Sequence, residues 1–170
     1  MFRKTFLASI ICGLIAILTQ PTSAAAATPS LAGSWQITLT PITVSPTPAA
    51  QIAGLATFTT DGSVIETDTS EVVPGVSSTS SGSATYGTPG HGIWQVSPAI
   101  TNLIVEYISL VANSDGSVEA RNLTTMIVAL TSTGTGFAGT YTTTTASSSG
   151  QSKTTSGTVK GQLIPHPALP

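Results

Sequence analysis

The positions whose types and spacing could do chemistry are few in this 170-residue chain. His91 lies in Thr88-Pro89-Gly90-His91-Gly92-Ile93-Trp94, where a histidine can shuttle a proton, ligate a metal or donate a hydrogen bond at a barrel mouth. A metal needs several converging ligands, and His166 is the only other histidine. The bland alternative is that the flanking glycines form a tight turn and leave His91 exposed beside it. Glu66 and Asp68 are two apart and so share one face of a strand. Such a pair can act as acid and base on a glycosidic bond, but beside a hairpin it reads more simply as solvated outer-face charge. Glu119 and Arg121 have the same spacing and can pair with each other.

Glu106 is sharper. It stands between Ile104 and Ile108 on a strongly apolar face, where burying a lone carboxylate costs several kcal/mol unless it is paired. If that face is inside, Glu106 anchors a ligand or holds a raised pKa, with Arg121 on the next strand as partner. If it is outside, Glu106 is an ordinary surface carboxylate. Strand periodicity leaves the two open. The run 134–139 matches G-x-G-x-x-G literally, yet strand material follows it where a phosphate-binding helix is required. No catalytic constellation, metal site or cofactor site is expected.

Composition restricts the class. Only 7% of residues are charged and 40% are hydrophobic, against about a quarter charged in ordinary domains. With the many Gly, Pro, Ser and Thr residues, this suits short strands joined by turns. Arg3 and Lys4, an apolar run over 6–18, Pro21 and small residues over 22–27 have the pattern of a cleaved export signal. Cleavage would remove Cys12, the single cysteine, and leave three basic residues (Arg121, Lys153, Lys160) against seven acidic ones, a net charge of −4. That excludes disulfides and disfavours nucleic acid as a partner. The apolar run is short for a membrane span. The expected product is secreted or periplasmic, with a signal over 1–27, one domain over 28–165 and a Pro-rich tail over 166–170.

The elements that must position any site are strands. Eight alternating runs follow the signal, at 34–43, 52–60, 63–68, 91–97, 101–111, 118–130, 137–145 and 153–163. Turn chemistry separates them, notably Asp61-Gly62 and Asn113-Ser114-Asp115-Gly116. One long Ser- and Thr-rich stretch, from about 70 to 89, reads as a loop. Short connections favour antiparallel neighbours, and eight such strands hide their edges by closing. The expectation is an all-β, single antiparallel up-and-down eight-stranded barrel, with a β-sandwich as the alternative. The Asn122-Leu123-Thr124 sequon and the threonines at 142–145 carry no further assignment.

Leu31-Ala32-Gly33-Ser34-Trp35 opens the first strand, and its Gly33-x-Trp35 resembles the signature of lipocalins and the wider calycin group. The segments 56–62, 88–94 and 137–141 look like small secreted bacterial lipocalin-like proteins of unassigned function. The resemblance implies a barrel with the tryptophan across its closed end, and no reaction. An eight-stranded barrel of this kind has room for one small ligand. The expected role is therefore a binding module for a small, largely apolar ligand. Its walls would come from the runs holding Trp35, Phe58, Trp94, Tyr107, Met126 and Tyr141, with His91, Glu106 and Arg121 as polar groups. The alternatives are a structural envelope protein with a filled barrel, or a barrel cyclase or isomerase using Glu106 or His91.

Overall fold

The structure is a computed structural model and describes residues 28–42, 50–69, 85–98 and 102–165. The expected export signal, most of the loop from Ser70, and the tail with His166 lie outside these residues. Every described element is a strand. They are β1 (Gly33–Pro41), β2 (Ile52–Phe58), β3 (Ser63–Asp68), β4 (Thr85–Gly87), β5 (Gly90–Val96), β6 (Leu103–Asn113), β7 (Val118–Leu130), β8 (Gly136–Ser147) and β9 (Ser152–Leu163).

All pairings are antiparallel. Apart from the short β4, which pairs only with β6, each strand lies beside the next in sequence, with β3 meeting β5; β6 joins β7, and β1 pairs with β9, so the sheet closes on itself. β4 and β5 together form one stave of the barrel, since both pair with β6. The break between them falls at Thr88-Pro89, and the register against β6 slips by one residue across it. Proline cannot donate to the ladder. Thr88 replaces the missing regularity with its backbone N–H on the Leu110 carbonyl (2.9 Å) and with its Oγ1, which accepts from the Leu110 N–H (3.0 Å). The result is the expected closed, up-and-down barrel of eight staves, compatible with a lipocalin-like fold.

Period-two alternation decides what fills it. One end, where β1 begins, is packed solid. Trp35 is 1% exposed, its ring centroid lies 5.0 Å from that of Phe137, and its Nε1–H donates to the Leu31 carbonyl at 2.7 Å. The segment before β1 thereby plugs this end with the fully buried Leu31. Phe58, Val64, Leu103, Val128 and Phe137 complete the plug, and Trp94 packs against it while its Nε1–H donates to the Thr59 carbonyl at 2.8 Å.

Such large rings fit because glycines face them. A Cβ at Gly161 would come within 2.2 Å of Phe137, one at Gly157 within 2.5 Å of Tyr141, and one at Gly90 within 2.4 Å of Tyr107. In register, Phe137 faces Gly161, Gly139 faces Val159 and Tyr141 faces Gly157. This large–small alternation lets β8 and β9 set rings against glycines across a narrow interior. The hairpin turns are the expected ones, with Gly62 and Gly116 at φ of 93° and 83°.

The orientation of β6 is settled. Leu103, Val105 and Tyr107 are buried inside, so Ile104, Glu106 and Ile108 face outward. Ile108 and Leu123 are exposed and paired in register on the outer wall.

Candidate functional site

At the other end of the barrel, where β1 finishes, the interior is not filled. A cavity of about 200 Å³ lies there, walled by inward residues from every stave. Leu39, Pro41, Ile52 and Val111 give it apolar wall. Asp68, Ser109, Asn122, Thr124, Thr143 and Thr155 give it polar wall, and Tyr107 and Tyr141 contribute both. These positions follow from the same alternation that builds the plug: along β6 the inward row runs Leu103, Val105, Tyr107, Ser109, Val111, and along β8 Phe137, Gly139, Tyr141, Thr143. Toward this end the inward side chains become smaller and more polar, which is what leaves space.

Much of the polar wall is internally bonded. The Thr124 and Thr143 hydroxyls lie 2.9 Å apart, and Thr145 Oγ1 donates to Asn122 Oδ1 at 2.7 Å. The sequon asparagine therefore stands on the inner wall. Tyr141 differs. It is 3% exposed, and its hydroxyl is buried with no hydrogen-bond partner among the described residues. Burial pushes this phenol above its ordinary value of 10.0.

The nine residues expected to surround a ligand separate into three groups. Tyr107 and Tyr141 line the cavity. Trp35, Phe58 and Met126 are buried in the packed core, and Trp94 is packed against it. His91, Glu106 and Arg121 are exposed on the outer wall. Glu106 lies beside Thr125, whose hydroxyl is 3.4 Å from its carboxylate, and Arg121 pairs in register with Leu110, well along the strand. Of the two orientations open for Glu106, the surface one is realised, so it does not anchor anything inside the barrel.

The reading of Glu66 and Asp68 as outer-face charges is corrected. Both lie on the inward row of β3 that begins with the buried Val64; Glu66 is 1% exposed and Asp68 lines the cavity. Room for the Glu66 side chain comes from Gly54 on β2, where an added Cβ would approach its Oε1 to 2.9 Å. The signal was the period-two step from Val64, which the charge of Glu66 seemed to contradict. Among the described residues, no three His, Cys, Asp or Glu side chains gather as a metal site.

Among the described residues, the geometry offers this end of the barrel as a place for chemistry. It is a small cavity. The chain matches no family model, no curated protein and no solved structure.

Proposed function

We propose that this chain is an exported binding module that holds one small molecule in the cavity at the end of its barrel. The observation that carries this reading is the cavity itself, bounded by all eight staves and lined by both apolar and hydrogen-bonding groups. Pockets for drug-sized ligands run to about 300–1,000 Å³. At about 200 Å³ this one suits something smaller. The wall is more polar than a purely hydrophobic ligand needs, so the occupant is amphipathic rather than wholly apolar. Gly33 and Trp35, at the start of β1 with the indole across the packed end, support kinship with lipocalin-like barrels. Export rests on the sequence pattern over 1–27.

A structural role in the envelope is the second reading, favoured by the solid packing of the plugged half. The groups on which a cyclase or isomerase would rely, Glu106 and His91, stand outside the barrel. The test is native mass spectrometry of the protein purified gently from its own host, with and without organic extraction. A co-purifying mass lost on extraction, and absent from a Ser109→Leu variant whose cavity is filled, supports the binding module. A bare mass in every preparation favours the structural barrel.

A further inference from the structure

Resting on the reading of the cavity as a ligand site, we propose that its occupant is a small molecule without negative charge that presents a hydrogen-bond acceptor, a carbonyl or ether oxygen, to the Tyr141 hydroxyl. Three observations converge on this class. Tyr141 lines the cavity, and its buried hydroxyl lacks a partner among the described residues. A buried donor left unsatisfied is unfavourable, and a ligand acceptor relieves it on binding.

The second observation is charge. Asp68 contributes a carboxylate to the wall, and the basic side chains among the described residues, Arg121, Lys153 and Lys160, are all exposed on the outside. A carboxylate or phosphate ligand would enter without a counter-charge, and burying an unpaired anion is strongly unfavourable. The third is size. An apolar cavity of about 150 Å³ takes up benzene, so about 200 Å³ admits a ring with one short polar substituent. Leu39, Ile52 and Val111 supply the apolar wall against which such a ring packs.

Three probes of nearly equal shape separate these contributions. Acetophenone carries the acceptor without charge, benzoate carries it as an anion, and ethylbenzene has no acceptor. Their dissociation constants for the full-length mature protein are measured by ligand-observed NMR, on the wild type and on Tyr141→Phe. Acetophenone is expected to bind about tenfold more tightly than either of the others, and Tyr141→Phe to erase its advantage over ethylbenzene. Benzoate binding as tightly as acetophenone overturns the exclusion of anionic ligands. Equal binding of acetophenone and ethylbenzene to the wild type overturns the role of Tyr141. In both cases the cavity remains a binding site. Failure of all three probes to bind overturns the cavity reading and this inference together.

Discussion

Replacing Tyr141 by Phe should make the empty protein more stable, which is unusual for a change to a buried residue. The ring rests over Gly157 and packs beside Met126 in register, and phenylalanine keeps those contacts. Only the hydroxyl is lost, and it has no partner among the described residues. An unsatisfied buried polar group costs about 1–3 kcal/mol. Taking the lower end, because Tyr141 lines a cavity and its surroundings can relax, the expected gain is about 1 kcal/mol. In a domain of this size that raises Tm by roughly 3 °C. The assay is paired thermal and urea unfolding of wild type and variant after organic extraction. The variant should also lose part of the alkaline sensitivity of the wild type. Burial raises the Tyr141 pKa in the folded state, so the stability linked to its proton is complete below about pH 10 and falls as pH rises through the folded value. A lower Tm for Tyr141→Phe, with an unchanged alkaline limb, would refute the reasoning, because it would show the hydroxyl to be satisfied in solution.

Other outcomes follow from the same geometry. Gly161→Ala puts a Cβ about where the Phe137 ring edge lies, at 2.2 Å, and should destabilise by about 1–3 kcal/mol in urea unfolding. Trp35→Ala removes both the ring packed on Phe137 and the hydrogen bond to Leu31; a loss of about 3–5 kcal/mol is expected, with near-ultraviolet circular dichroism reporting the opened end. At the acid side, Asp61 is held below its usual value by hydrogen bonds from the Thr59 hydroxyl and the Ser63 backbone, and Asp115 by those from the Ser117 hydroxyl and backbone. Their contribution is present above about pH 4 and fades as pH falls through the folded values, so Asp61→Asn combined with Asp115→Asn should flatten the acid limb of a stability–pH profile. Glu106→Gln should leave both stability and ligand affinity unchanged within error in the same unfolding and NMR assays, since the carboxylate is on the outer wall.

Most of the barrel was legible because its signals are local. Asp61-Gly62 and Asn113 to Gly116 mark hairpins whose glycines need positive φ, and alternation along β1, β7 and β8 names the inward rows directly. β4 was not legible. It is three residues within a Ser- and Thr-rich stretch, and only its pairing to the far end of β6 makes it a strand. The inside of β6 was ambiguous for a different reason: both faces are apolar, and the choice depends on which row shares a face with Trp94, Met126 and Val128 on the neighbouring strands β5 and β7. The cavity was the least accessible feature. It arises where the inward rows shift from rings to Ser, Thr and Asn over the same stretch of several strands, a coincidence set by register rather than by any one segment. Glu66 was misplaced because a charge was weighed above period, although the small Gly54 on the neighbouring strand is what admits it.

The seam between β1 and β9 joins nearly the first described residues to nearly the last, with Trp35 opposite Leu163. Until that seam forms, both strands present open edges, and a chain with 7% charged residues has little electrostatic repulsion to keep copies apart. Contacts so distant in sequence also form slowly. The protein's vulnerable period is therefore the interval before ring closure rather than its folded lifetime. Mutations that loosen the β1–β9 pairing should increase aggregation during refolding more than they lower the equilibrium melting temperature.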